Sequence, residues 1–392
     1  MNDVAREVAG SPLSRAAHAA GMRAYHEAGQ RRAAAIGNRG PVRFDADGLL
    51  HPDIVAAYWR HGYYIFEGVI GTAELAELRE GCMDMLARAP VRTGADLDAR
   101  GRPALGRDFG RPAYFMTRPL SDPHGGTADL GGRHPTRMDE PIPDADAPEE
   151  VVLRMYGMCQ AILAALRLYG HPHLLAIAEA LNGADFTPFN DVIFVKQPGL
   201  GPSVSWHQDG VTHWDNPDWD EGIHGFNFQV QLFATTPANA LWVVPGTHKA
   251  GKVDITRMVA GNGGSDRLPD AIPLVCAAGD VTIVNRQTLH GSFANSSPDM
   301  RMSITFGFHR RRSVLGQMPA LGMKGQTEPM DAARIERRAS VIPVAIDARR
   351  QHFPAERAYR YQPFAGREDG FRHDAATVDR VIRDYNLFDL SI

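Results

Sequence analysis

The spacing of apolar residues changes character partway along the chain. Residues 1–40 carry a polar helical pattern that ends near Gly37-Asn38-Arg39-Gly40. A short helix is expected over 53–60, and Tyr63-Tyr64-Ile65-Phe66, bounded by Gly62 and Gly68, reads as a strand. Leu75, Leu78, Cys82, Met85 and Leu86 recur at helical spacing, which predicts an amphipathic helix over 72–89. Residues 90–150 are dense in Gly, Pro, Asp and Arg and read as a long irregular excursion, the kind of segment that often covers a binding site. Two helices are expected next, over 149–169 and 172–182, separated by Gly170.

From residue 187 the pattern shortens. Apolar or alternating runs at 188–197, 203–208, 225–234, 240–244, 272–276, 280–285 and 301–309 alternate with turn-forming clusters. Several short strands at such intervals predict a sandwich or barrel. The chain thus divides into a helical extension (1–50), a helical and loop-rich segment packing on the core (51–186), a β core (187–312) and a C-terminal helical extension (313–392). The fold class is α+β.

Composition narrows the class only slightly. The 392 residues are 44% hydrophobic and 22% charged, with a formal net charge of −4, so bulk electrostatic attraction to nucleic acid or membrane is not expected. Three scattered cysteines without a CxxC pair disfavour zinc-ribbon and redox motifs and fit a reducing compartment. There is no apolar run of about 18 residues for a membrane span and no secretory pattern at the N-terminus. The expectation is a cytoplasmic protein with a small-molecule substrate; the oligomeric state is not readable.

Candidate chemistry lies in the histidines. Non-haem iron oxygenases hold Fe(II) with two histidines and one carboxylate on one face. On a strand, residues i and i+2 point the same way, so His-x-Asp can aim both side chains at one metal. Among 16 histidines the motif occurs at His51-Pro52-Asp53, His207-Gln208-Asp209 and His213-Trp214-Asp215, where chance supplies about one. His51 precedes a helix start and His213 lies in a turn-rich stretch. His207 and Asp209 end an alternating strand, Ser203-Val204-Ser205-Trp206, and are preferred. His290, at the end of the run from Gly279, is the candidate third ligand. A hairpin centred near Asn295-Ser296 would put His290 opposite Arg301, whose guanidinium could bind a dicarboxylate bidentately. Ser303, two residues on, could add a hydrogen bond. His213, Trp214, Lys196 and Gln229 are candidate pocket residues, and His248, in a Pro-Gly-Thr turn, reads as structural.

Trp206-His207-Gln208-Asp209, Val244-Pro245-Gly246-Thr247-His248-Lys249, Gly279-Asp280, and His290-Gly291-Ser292 through Asn295, Ser297 and Arg301 stand in an order and spacing that resemble the phytanoyl-CoA dioxygenase family of iron(II)/2-oxoglutarate oxygenases. The resemblance covers roughly residues 55–312. The chain departs from it at Asn239-Ala240, where the family commonly has Asn-Gly. The resemblance implies a double-stranded β-helix, or cupin-like jelly-roll, core with flanking helices. It also implies His207, Asp209 and His290 as iron ligands, and Arg301 as the anchor for the distal carboxylate of 2-oxoglutarate.

The function expected is oxidation, chiefly hydroxylation, of a C–H bond in a small metabolite with Fe(II), 2-oxoglutarate and O2, releasing succinate and CO2. Alternatives are a catalytically silent jelly-roll binding protein and an iron oxygenase that does not use 2-oxoglutarate. Halogenation is disfavoured because Asp209 supplies a carboxylate where chloride would bind. Selectivity is expected to reside in the 90–150 excursion and the 210–224 loop. The substrate itself is not legible.

Overall fold

The structure, a computed structural model, describes residues 13–209, 225–318 and 329–387. Helix α1 (Arg15–Ile36) starts where the Ser14 hydroxyl accepts from the Ala17 amide at 3.2 Å and stops at Gly37 in the left-handed region, φ +62°. Strand β1 (Arg39–Gly40) follows, then α2 (Pro52–His61), with proline in its first turn. Helix α2 ends at Gly62, φ +78°. A Cβ there would lie 2.3 Å from Thr288 Oγ1 and 2.5 Å from His248 Nδ1, so glycine is required on two counts. Next come β2 (Tyr63–Phe66) and α3 (Thr72–Ala87).

Two strands depart from the expected pattern. β3 (Tyr114–Thr117) crosses the 90–150 excursion, and β4 (Val151–Met155) occupies the first third of the expected 149–169 helix. β4 has almost every residue buried, so its apolar run carries no periodicity to separate strand from helix. Only α4 (Met158–Ala161) and α5 (Leu163–Leu168) remain of that helix, followed by α6 (Pro172–Asn182). Gly170 is more than a separator: a Cβ would sit 2.4 Å from the Ala345 carbonyl, where a C-terminal helix crosses.

The β core comprises β5 (Phe186–Lys196), β6 (Val204–His207), β7 (Phe226–Gln231), β8 (Trp242–Val243), β9 (Ile272–Pro273), β10 (Val281–Asn285), β11 (His290–Ser292) and β12 (Arg301–Arg310), with α7 (Ile255–Gly261) between β8 and β9. An eight-stranded sheet runs β1-β2-β10-β7-β12-β5-β4-β3, and a four-stranded sheet runs β6-β11-β8-β9. From β5 to β12 the chain passes back and forth between the two sheets, the winding of a double-stranded β-helix. The fold is α+β with a jelly-roll core, as the resemblance implies.

Strand β12 shows how sequence positions the site. Met302, Ile304, Phe306 and Phe308 join the main apolar core with residues of α3, α5, α6 and the C-terminal helix α8 (Val341–His352). Full burial of each such side chain contributes about 1.5–3 kcal/mol. The alternate residues Arg301, Ser303 and Thr305 occupy the opposite face, towards the small sheet. The described part of the C-terminal extension is embedded in this same core: Val341, Ile342, Val344 and Ala345 are fully buried in it. On the back of the small sheet, α1 seals a second cluster, with Tyr25 stacked on Trp242 at 4.7 Å.

The expected hairpin joining His290 to Arg301 is not formed. His290 pairs with His207 and with Val243 in the small sheet, whereas Arg301 pairs with Lys196 in the large one. The turn residues 293–300 carry the chain between sheets, not back along one. Local turn chemistry is the same for both routes, so the sequence could not separate them.

Candidate metal centre and cavity

His207 closes β6, and a β-bulge sets its direction. His207 pairs with His290, but Val204 pairs with Ser292, leaving one extra residue on β6. Val204 and His207 both line the cavity between the sheets as a result. Trp206 turns into the cluster behind the small sheet, where its indole N–H donates to the Asp266 carbonyl at 2.6 Å.

Each candidate histidine is held by the carbonyl two residues before it: His207 Nδ1 lies 2.9 Å from Ser205 O, and His290 Nδ1 lies 2.8 Å from Thr288 O. A ring whose Nδ1–H donates to a carbonyl presents a bare Nε2 lone pair, the form a metal needs. His207 Nε2 is 3.5 Å from Asp209 Oδ1, and His290 Nε2 is 3.7 Å from Asp209 Oδ2. Ligand atoms about 2.0–2.2 Å from a common ion stand roughly 3 Å apart in a facial arrangement, so a small closure completes the geometry. Among the described residues these three side chains form the group able to hold a metal ion, with ligand atoms all within 4.8 Å of one another.

Electrostatics favour the binding forms. Burial, reinforced by neighbouring cationic groups, holds His207 well below its ordinary value and also lowers His290. Burial opposes ionisation of Asp209, but Arg133, His290 and Arg286 outweigh it and bring the carboxyl down to about 2. Arg133 Nη1 donates to Asp209 Oδ1 at 2.7 Å, Asn227 Nδ2 donates to Oδ2 at 2.9 Å, and the Asp209 amide donates to Arg286 O at 2.7 Å. Sequence reasoning missed Arg133 and Asn227. Asn227 stands two residues before Gln229 on β7, a signal available in the alternation; Arg133 comes from an irregular loop and left none.

The cavity measures about 430 Å³ and is lined by His207, Asp209, His290, Arg301, Thr305 and Gln229 among others. Arg301 is 3% exposed, and burial pulls its guanidinium down to about 10. Among the described residues its hydrogen-bond acceptors are two oxygens, Gln229 Oε1 at 3.1 Å and Asn239 O at 3.5 Å. Among the described residues no carboxylate comes within ion-pair distance of it, and Arg301 Nε, Ser303 Oγ and Thr305 Oγ1 are buried without hydrogen-bond partners. A buried guanidinium with unused donors beside two unused hydroxyls suits a carboxylate guest.

The remaining expectations divide. Gln229 lines the cavity and orients Arg301. Lys196 is a correction. It shares the inward face of β5, but its ammonium is drawn to the carbonyls of Pro202 and Phe293, each at 2.6 Å, and Ser292 at 3.4 Å, and it does not line the cavity. Those carbonyls end the strands that cross between sheets, so Lys196 clasps the crossover. His213 and Trp214 lie outside the described residues. His248 is buried with Nε2 2.9 Å from Trp59 O, in keeping with a structural role. The 90–150 excursion does shape the cavity, through Arg111, Phe115, His124, Asp129, Leu130 and Arg133.

Comparison with known proteins supports the family resemblance. The sequence profile described as "Phytanoyl-CoA dioxygenase (PhyH)" matches residues 58–303. Over 116 residues the chain is 28% identical to Phytanoyl-CoA dioxygenase 1 of Oryza sativa subsp. japonica, covering 28% of this chain and 40% of that protein. Over 135 residues it is 30% identical to Phytanoyl-CoA dioxygenase of Arabidopsis thaliana, covering 32% and 45%. The chain therefore spans less than half the length of these curated relatives. Among solved structures, EctD from S. alaskensis with 2-oxoglutarate and 5-hydroxyectoine is similar with a TM-score of 0.48 and 18% identity, over 74% of this chain and 85% of that one.

Proposed function

The chain belongs to the phytanoyl-CoA dioxygenase family, and on that premise we propose that it is an iron(II)- and 2-oxoglutarate-dependent dioxygenase that oxidises, chiefly by hydroxylation, a C–H bond of a small organic substrate. The observation that carries the reading is the meeting, in one cavity, of two kinds of site. One is a buried His-Asp-His group with its lone pairs turned inward. The other is a buried arginine with no carboxylate partner among the described residues.

The residues divide the work. His207, Asp209 and His290 hold Fe(II), and Arg133 and Asn227 keep both Asp209 oxygens oriented. Arg301 takes the distal carboxylate of 2-oxoglutarate, with Ser303 and Thr305 offering their hydroxyls and Gln229 fixing the guanidinium plane. Bound iron and 2-oxoglutarate supply the oxidising power, using O2 and releasing succinate and CO2. The protein supplies position and a shielded wall, so that the reacting carbon is the one oxidised.

Anaerobic titration tests this reading. Fe(II)-loaded protein should develop the visible charge-transfer band of an iron–2-oxo-acid chelate as 2-oxoglutarate is added. Iron binding without that band would contradict the use of 2-oxoglutarate and point to an iron oxygenase of another type.

A further inference from the structure

The cavity carries more positive charge than its proposed cofactors use. Among the described residues five arginines, Arg111, Arg133, Arg154, Arg286 and Arg301, line it against two carboxylates, Asp129 and Asp209. Arg133 is paired with Asp209, Arg286 donates to the Asp209 carbonyl at 3.2 Å, and Arg301 is assigned above. Arg111 and Arg154 have no such role.

Neither has a carboxylate within ion-pair distance among the described residues. Arg154 Nη2 meets His124 Nε2 at 2.6 Å. Burial, with Arg154 itself, brings His124 down to about 4, so at neutral pH it accepts that bond as a neutral ring and cancels no charge. Among the described residues Arg111, 8% exposed, donates to the Asn386 carbonyl at 3.5 Å and is hydrogen-bonded to Tyr156, neither of which cancels its charge. Asp191, the carboxylate it feels at longer range, is hydrogen-bonded to Tyr169 and Asn386. Both guanidiniums are stacked on rings, Arg111 over Tyr156 at 3.8 Å and Arg154 over Phe115 at 4.3 Å. The β3–β4 pairing enforces the second stack by placing Phe115 opposite Arg154. Stacking fixes each plane and leaves N–H edges for a ligand; among the described residues Nε of both is buried without a partner. Two like charges held close in a largely buried wall are costly unless an anion joins them.

We infer that Arg111 and Arg154 form the anion subsite for the substrate, a small organic acid whose carboxylate or phosphate they hold while its carbon chain lies along Phe194, Val204 and Leu241 beside the metal centre. The inference rests on the function proposed above and adds the class of substrate. Arg111 and Arg154 are specificity determinants, presented by the loop before β3 and by β4.

Calorimetry on the full chain tests it, with protein loaded anaerobically with Fe(II) and saturated with 2-oxoglutarate so that Arg301 is occupied. The probes are hexanoate, hexyl phosphate, the uncharged hexanamide and hexanoyl-CoA. At least one of the two acids should bind about tenfold or more tighter than hexanamide, and the better of them names the anionic group. Arg154→Gln and Arg111→Gln should each weaken that acid by about tenfold while leaving hexanamide and 2-oxoglutarate within about twofold. Equal binding of acid and amide overturns the inference, as do failure of both acids to bind, binding of hexanoyl-CoA alone, and an acid affinity unchanged in both variants. The acid–amide comparison in the unaltered protein needs no variant to fold. The iron-loaded titrations separate the two proposals: if 2-oxoglutarate fails to bind but an acid preference persists and is lost in Arg154→Gln and Arg111→Gln, the cofactor reading falls and the anion subsite stands.

Discussion

His290 lies directly opposite His207 in the small sheet, their ring centroids 4.1 Å apart, and each turns Nε2 toward a different oxygen of Asp209. The pairing makes the candidate metal site a property of strand register, and strand register is set by the whole sheet.

Replacing His207 or Asp209 with alanine should therefore abolish most Fe(II) binding without unfolding the protein, since neither contributes to an apolar cluster. Iron retained after gel filtration measures it. Retention by His207→Ala together with loss in His213→Ala would move the site to the other His-x-Asp motif.

Arg301→Leu should raise the concentration of 2-oxoglutarate needed for half-saturation by about ten- to a hundredfold, the equivalent of roughly 1.5–3 kcal/mol for a charge-assisted contact. Iron binding should be little changed. Titration of the chelate band gives both numbers, and an unchanged 2-oxoglutarate requirement would place the anchor elsewhere.

The fold reaches the site through Gly62. Its carbonyl accepts from Thr288 Oγ1 at 2.9 Å, and the Thr288 carbonyl in turn holds His290. In Gly62→Ala the new methyl would meet Thr288 Oγ1 and His248 on a backbone at φ +78°. A loss of about 2–4 kcal/mol of stability is expected, with weaker iron binding in the protein that remains folded. A denaturation curve matching the parent would show that the contact relaxes freely.

Asp266 gives a pH signature. Burial lifts its carboxyl from an ordinary 3.8 to about 6. The folded state therefore favours the protonated form; that stability is complete below about pH 4 and is lost as pH rises through about 6. Asp266→Asn, neutral throughout, should match the parent near pH 4 and exceed it by of order 2 kcal/mol near pH 8. Thermal melts at the two pH values decide. A variant less stable than its parent at both would mean that the carboxylate is needed ionised.

How far the sequence could be read follows from the range of the interaction concerned. His207 and Asp209 were legible because a two-residue spacing at a strand end is a local fact, and Arg301 because a charged residue opens an apolar strand. The bulge that aims His207 was not legible, since it exists only against β11. Arg301 was placed beside the site but across the wrong pairing, because the 293–300 turn does not reveal which sheet it enters. Lys196 was read from the inward face of its strand, yet three carbonyls gathered from distant segments claim its ammonium. Arg111, Arg133 and Arg154 gave no signal: two lie in an excursion without periodicity, and the third in a strand whose apolar run resembled a helix.

The central claim, that the two-histidine, one-aspartate group and Arg301 together run 2-oxoglutarate chemistry, is tested most directly by measuring succinate. Purified protein given Fe(II), 2-oxoglutarate, ascorbate and O2 should form succinate at a rate that falls to background in Asp209→Ala and is restored in Arg301→Leu only at high 2-oxoglutarate. Succinate formed equally by Asp209→Ala, or none formed by the unaltered protein with iron bound and acids of several kinds supplied, would contradict it.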